Sequence, residues 1–241
     1  MRPRISVNIP AYNCSAFINA AVDSALEQDC NLELLIVNDG STDDTFHKIR
    51  QYRNNPRVRI FNQKHQGLSF SRQRLLKSSR GYYVAFLDGD DIMLPGRLKK
   101  QVRFLDSHKS YSACYGKAKL VDINLFPIHD KMFGKSFGKP LKKTWDIIEV
   151  PFHPGTLVIR KDKVLATGGF NSLFEFTDSD FIYRICESLR IYFFNSYFML
   201  YRRGSGTATK SKAIWQEELL ARKMAVQRRW GNVSLFSRVK L

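Results

Sequence analysis

Over the first 110 residues, short dense apolar runs alternate with helical repeats. Residues 5–9 form a β-rich run that stops at Pro10. Phe17, Ala20, Ala21, Ser24 and Ala25 then recur at helical spacing. Residues 32–37 read as a second buried strand ending at Asn38-Asp39-Gly40, and residues 41–44 have capping-box spacing, which predicts a helix starting there. A third strand is predicted over 58–61, a helix over about 68–79 after Gly67, a fourth strand over 82–87, and a helix from Pro95 to about 107. This alternation predicts an α/β fold with a single Rossmann-like, mostly parallel sheet covered by helices on both faces. Ligands of such sheets sit at the C-terminal strand ends, where Tyr12, Asp39 and Asp88 to Asp91 converge.

The second half is less regular. Residues 111–121 and 156–160 predict strands, Gly168-Gly169-Phe170 a tight turn, residues 181–189 a helix, and residues 213–230 a terminal helix. Trp215, Leu219, Val226 and Trp230 share one face of that last helix, with Arg and Lys elsewhere. Residues 124–151 mix Pro, Gly, Lys and aromatics and read as a long loop or a partner-binding insertion. With no repeat, low-complexity tract or Pro/Gly-rich linker, the chain reads as one compact unit over 1–241.

Chemistry concentrates where the fourth strand ends. The run Val84-Ala85-Phe86-Leu87 stops in Asp88-Gly89-Asp90-Asp91, three carboxylates within four positions. Such anions repel one another unless a positive charge sits among them. An oxygen-only ligand set points to Mg²⁺ or Mn²⁺ rather than zinc. The competing reading is a solvated Asp-Gly turn capping the next helix.

Composition narrows the classes. A hydrophobic content of 44% and an aromatic content of 13% describe a globular chain, not a disordered one. Cys14, Cys30, Cys114 and Cys186 have neither metal-type nor redox-type spacing, which fits a reducing cytosol. Met1-Arg2-Pro3-Arg4 leads straight into a strand, so no signal peptide is expected. The longest apolar run, 191–201, is too short for a membrane span and carries Asn195 and Ser196. The formal charge of +17 calls for anionic partners. Cations gather at 131–143 and from Arg202 onward, where Trp215, Trp230, Leu235 and Phe236 lie among them. Aromatics among cations suit an anionic membrane surface; the plain alternative is a solvated helix face. No nucleic-acid recognition motif accompanies the charge, so that partner is not expected.

Four segments in order, 6–13 (Ser-Val-Asn-Ile-Pro-Ala-Tyr-Asn), 36–43 (Ile-Val-Asn-Asp-Gly-Ser-Thr-Asp), 67–72 (Gly-Leu-Ser-Phe-Ser-Arg) and 86–91 (Phe-Leu-Asp-Gly-Asp-Asp), resemble the inverting glycosyltransferases of family 2, which have the GT-A fold. Gly168-Gly169-Phe170 followed by Thr177-Asp178-Ser179-Asp180-Phe181 and Arg184 extends the resemblance to about residues 4–210. It implies a sugar-nucleotide-binding half over about 1–110 and an acceptor-binding half over about 111–212, leaving about 213–241 as a basic amphipathic helix and tail.

The resemblance also implies roles. Pro10, Ala11, Tyr12 and Asn13 would lie beside the nucleotide base, with Asp39 accepting from uracil N3–H and Tyr12 able to stack. Gly67 and Arg72 fall near the diphosphate, with Gln73 and Arg74 as weaker neighbours. Asp43 and Asp44 read instead as helix N-terminal charges. Asp88-Gly89-Asp90 matches the family's metal-binding Asp-x-Asp, with Asp88 near the ribose or a metal-bound water and Asp90 holding Mn²⁺ or Mg²⁺. Asp91 would ligate weakly or cap the next helix. Asp178 falls where the family places its catalytic base; Asp180 is its competitor, or else the partner of Arg184 in a helical ion pair.

The chain departs from the family in two places. Thr177 stands where an acidic neighbour of the base is common, and Gly204 where many relatives carry a His. Arg202 and Arg203 then become candidates for neutralising the diphosphate, and His153 for the acceptor side. His65 and His129 receive no role. The implied reaction moves a hexose or N-acetylhexosamine from a UDP-sugar to a saccharide or glycolipid acceptor. Its setting would be polysaccharide or lipopolysaccharide assembly at the cytoplasmic face of the membrane. A non-catalytic sugar-nucleotide or glycan-binding module is the alternative.

Overall fold

A computed structural model describes residues 2–129, 136–137, 152–175, 178–204 and 212–230. Four strands, β1 (Ile5–Ala11), β2 (Leu32–Asp39), β3 (Val58–Gln63) and β4 (Tyr83–Phe86), lie parallel in the order β3-β2-β1-β4. The helices α1 (Ile18–Leu26), α2 (Thr45–Arg50) and α3 (Leu68–Ser78) connect them. The period-two geometry of a strand sends neighbours to opposite faces. Along β4, Tyr83 and Ala85 enter one core with Ile5, Val7 and Ile9 of β1 and Ile18 of α1. Val84 and Phe86 enter a second core with Leu76 of α3 and Phe181. Both faces are covered, so the strand reads as a continuous apolar run. β1 keeps Ser6 and Asn8 on its second face: Ser6 Oγ donates to Glu33 at 2.6 Å, and Asn8 Oδ1 accepts from Ser79 Oγ at 3.1 Å while its Nδ2 is buried without a hydrogen-bond partner.

Beyond β4 the sheet becomes mixed. β5 (Ile92–Met93), β6 (Ala113–Val121), β8 (Val158–Arg160) and β9 (Ile191–Arg202) extend it as β4-β8-β6-β9-β5, with β7 (Ser136–Phe137) on β6. Among the described residues, only β6–β9 is parallel in this half; β4–β8, β8–β6, β9–β5 and β6–β7 are antiparallel. The α/β class stands, but the expectation of a mostly parallel sheet holds only for the first four strands. Parallel neighbours need a crossover, usually helical, and the described residues between β6 and β8 contain no α-helix. The remaining helices are α4 (Arg97–Ser107), α5 (Lys161–Ala166), α6 (Ser179–Ser188) and α7 (Lys212–Trp230). β6 shifts register around Gly116, where an added Cβ would lie 2.4 Å from the Phe198 ring.

One local expectation changes, and two elements are added. Residues 41–44 are loop rather than helix: Ser41 Oγ accepts from the Asn13 N–H, and the Asp43 carboxylate accepts from the N–H groups of Ser15 and Thr45. Residues 191–202 form the long strand β9, and 161–166 form α5, which the apolar pattern does not mark. Most of 124–151, together with Phe176, Thr177 and the tail from 231, lies outside the described residues.

Candidate active site

The parallel half delivers its polar groups at strand ends. Tyr12 follows β1, is 39% exposed, and stacks on His65 at 4.1 Å between centroids and 20° between planes. Asp39 ends β2 and is buried. Its Oδ1 accepts from Gln63 Nε2 at 2.6 Å and the Gln66 N–H at 3.0 Å; its Oδ2 accepts from the Gly67 N–H at 2.9 Å and faces His65 Nδ1 at 3.0 Å. A carboxylate offers about four acceptor sites, so Asp39 is saturated by the turn it holds in place. Gly67 adopts φ +88°, and an added Cβ would sit 2.5 Å from Glu175 Cγ. Pro10 and Ala11 close β1, and Asn13, at φ 46°, accepts from the Thr42 N–H at 2.8 Å, tying two loops together. Gly89 presses on the end of β1, where a Cβ would meet Cys14 Sγ at 2.8 Å and Pro10 O at 3.3 Å.

Arg72 is the hub. It projects from α3, is 1% exposed, and pairs through Nη2 with Asp88 Oδ1 and through Nη1 with Asp178 Oδ2. A carboxylate of the parallel half and one of the mixed half thus share one buried guanidinium. Burial opposes ionisation of Asp88, but Arg72 and His153 hold its carboxyl below the ordinary range. Asp91 behaves oppositely: burial first, then Asp90 and Asp88, push it well above that range. Its Oδ1 accepts from the Arg202 N–H at 2.9 Å, while its Oδ2 is buried without a hydrogen-bond partner.

Asp88, Asp91 and His153 each bring a ligand atom within 4.8 Å of the others and could hold a metal ion. The expected metal pair was Asp88 with Asp90; the geometry instead groups Asp91 with Asp88, and Asp90 stands outside the cluster. The unsatisfied Asp91 Oδ2 is the observation that fits a cation. Burial brings the His153 imidazole down to about 4, against the pull of Asp88, so the ring is neutral near pH 7. Its Nδ1 accepts from the Gly155 N–H at 3.0 Å, leaving the proton on Nε2, which faces Asp88 Oδ2 at 3.6 Å. The oxygens of Asp88 and Asp91 are therefore the better cation ligands, and His153 lies against Asp88.

Asp178 stands at the N-cap position of α6 without a side-chain capping bond, with Oδ2 on Arg72 and a buried Oδ1 that has no hydrogen-bond partner. Asp180, its competitor, is 2% exposed and committed elsewhere: Oδ2 accepts from Arg184 Nε at 2.8 Å and Oδ1 from Arg228 Nη1 at 3.0 Å. The helical ion pair is thus the arrangement present. Arg202 also differs from the diphosphate reading: it is 5% exposed, donates to the Asp90 and Ile123 carbonyls, and lies 4.5 Å from the centroid of the Phe17 ring. It shapes the carboxylate loop from behind. Arg203 is exposed and donates its N–H to Val121 O just past the end of β9, and Gly204 follows at φ +90° with open space around it. Gln73 holds the 168–170 turn through Phe170 N and Gly168 O, and Arg74 binds Asn62 O and Gln63 Oε1. The structure also brings His65, given no role by the sequence, against Asp39 and Tyr12, and groups Asp91 with Asp88. A half-exposed His among loop residues carries no periodic signal; the third Asp of the triplet did.

The sheet order and the carboxylate cluster at its strand ends define a GT-A glycosyltransferase fold. The structures of Staphylococcus aureus TarS residues 1–349 in complex with UDP and with UDP-GlcNAc share it, each with TM-score 0.72 and 21% identity over 93% of this chain, and cover 65% and 66% of the TarS chains. The chain belongs to glycosyl transferase family 2, whose model matches residues 6–169. Among curated relatives, the putative glycosyltransferase EpsE of Bacillus subtilis is 32% identical over 71% of this chain and 61% of its own length. The UDP-Glc:alpha-D-GlcNAc-diphosphoundecaprenol beta-1,3-glucosyltransferase WfaP of Escherichia coli is 36% identical over 51% of this chain and 50% of its own. Chondroitin synthase of Pasteurella multocida is 39% identical over 47% of this chain but only 12% of its own length, so this chain spans a minor part of that relative. Among the described residues, no helix is long and apolar enough to cross a membrane.

Proposed function

We propose that this chain catalyses the inverting transfer of a hexose or N-acetylhexosamine from a UDP-sugar to a lipid-linked saccharide acceptor, in assembly of a bacterial surface polysaccharide such as lipopolysaccharide. The observation that carries the reading is Arg72 held jointly by Asp88 and Asp178. That contact supports the reading, because it joins Asp88, just past the end of β4, and Asp178, the proposed base, through one guanidinium. The name of WfaP, with its UDP-glucose donor and diphosphoundecaprenol-linked acceptor, and the nucleotides bound to TarS support the substrate classes.

Asp88 and Asp91 would hold a divalent cation, Mn²⁺ or Mg²⁺, with Asp90 alongside; bound there, it supplies Lewis-acid stabilisation of the departing diphosphate. Arg72 presents a fork that suits phosphate oxygens. A donor diphosphate competes for it and releases Asp178 Oδ2, leaving that carboxylate to take the proton from the attacking acceptor hydroxyl. Neutral His153 donates from Nε2 toward Asp88 or the diphosphate, supplying near the cluster the imidazole that Gly204 lacks.

At the base end, Asp39 has no acceptor site to spare. Uracil N3–H reaches it only when a side-chain donor, Gln63 or His65, gives way. His65 is the more exposed, and its departure also uncovers Tyr12.

A thermal-shift panel tests the reading: UDP, GDP, dTDP and CMP and their sugar conjugates, each with Mn²⁺ or EDTA. A ligand of the folded state raises the melting temperature according to its concentration over its affinity. The expected result is a shift with UDP compounds that needs Mn²⁺. No shift with any nucleotide would overturn the reading and favour a glycan-binding module.

A further inference from the structure

α7 has two unlike sides. Toward the body, Ala221 packs with Phe174 and Tyr183, with Met224 and Ala225 beside them. Both acids of the helix turn to this side: Glu217 accepts from the Glu175 N–H at 2.8 Å and Glu218 accepts from Ser179 Oγ at 2.5 Å. Arg228 reaches Asp180 and Glu187. Away from the body, Trp215 is 65% exposed, Leu219 52% and Leu220 44%. Trp215, Leu219 and Val226 lie within one helical stripe, bordered by the exposed Arg222, Lys223 and Arg229. The sequence continues the bias: residues 205–211 carry Lys210 and residues 231–241 carry Arg238 and Lys240, with no acid in either.

We infer that the outer stripe of α7 docks on an anionic lipid bilayer surface. A Trp–Leu stripe edged by Arg and Lys, with every acid of the helix turned inward, matches the charge and polarity of a headgroup interface. The anchor is reversible and lies in the interface plane.

The docking has a consequence for the site. The inner side of α7 is hydrogen-bonded to Glu175 and Ser179, which flank Asp178, and pairs with Asp180. The lipid plane therefore lies about one helix diameter (~10 Å) from the segment carrying Asp178. A saccharide on a lipid diphosphate presents its hydroxyl close to that plane. This orientation rests on the reading of Asp178 as acceptor-side base; the docking itself does not.

The test is co-sedimentation of the 241-residue chain with vesicles of mixed phosphatidylcholine and phosphatidylglycerol, and with phosphatidylcholine alone. A variant carrying Trp215→Ser and Leu219→Ser is run in parallel. Both side chains are more than half exposed, so the variant keeps its fold, checked by an unchanged melting temperature. The chain is expected to partition onto mixed vesicles, less onto neutral ones, and less in high salt. The variant should lose at least about tenfold in partitioning while binding UDP as the parent does. Docking is overturned if the parent ignores mixed vesicles, binds neutral vesicles equally, or keeps full partitioning in the variant. It is also overturned if light scattering shows the stripe covered by a second copy of the chain. Loss of UDP binding with vesicle binding intact would instead overturn the proposed transferase.

Discussion

The two halves of the sheet reach the same site by different routes. In the parallel half each strand stops at the same edge, so Tyr12, Asp39 and Asp88 are brought together by topology alone. In the mixed half no such rule applies. Asp178 arrives at a helix cap, His153 on a short turn before β8, and Arg202 at the end of a strand pairing with β5 and β6. The parallel half carries Asp88 and Arg72 on its strand-end frame; on the proposed reading the mixed half adds the base, Asp178. Arg72 joins them, and the comparison breaks or sharpens at that residue and its partners.

The largest expected effect is from Arg72→Ala. It strands two largely buried carboxylates and should cost about 3–5 kcal/mol of unfolding free energy, as for other buried pairs broken from one side. Denaturant titration checks it. Adding Asp178→Asn should recover part of the loss, and strict additivity would show that the two halves are not coupled. Asp180→Asn comes next. It weakens the contacts to Arg184 and Arg228 within the mixed half alone and should cost about 2 kcal/mol. Calorimetric UDP affinity should stay unchanged; a fall would place Asp180 in the site.

Asp91→Asn acts in the opposite direction. The raised Asp91 carboxyl keeps a proton in the fold that the unfolded chain has already released. Its contribution is therefore lost as pH rises from the ordinary carboxylate range through the raised folded value, and is absent above it. The amide keeps the acceptor for Arg202 N–H and replaces the orphaned oxygen with a donor. The metal-free variant should gain about 1 kcal/mol near pH 7, lose that pH slope, and lose the stabilisation by Mn²⁺. Smallest is His65→Ala. Removing a group that must yield to the base should tighten UDP by about threefold; weaker binding would mean that the His65–Tyr12 stack is part of the base site.

The sequence made most of the parallel half legible because apolar runs, a terminal Pro or Asp-Gly, and helical repeats are local signals. Asp88, Asp178 and Arg72 were legible because each falls within a motif. The pairing of β9 with β5 was not, since a two-residue strand has no period to read. Asp91 over Asp90 depends on which carboxylate turns inward under Arg202, a contact across 111 residues. The saturation of Asp39 likewise comes from the turn over 63–67, not from any property of an Asp-Gly pair.

The most direct test is UDP release from the UDP-sugar ranked first by the thermal-shift panel, measured for the parent and for Asp178→Asn with Mn²⁺ present. The account predicts a fall of about 10²–10⁴-fold in rate, with UDP affinity unchanged or up to about threefold tighter, since the base acts on the acceptor and the amide holds Arg72 less firmly against the diphosphate. An unchanged rate, or a fall in UDP affinity matching the fall in rate, would contradict the assignment of Asp178 as the base that the acceptor half brings to the donor site.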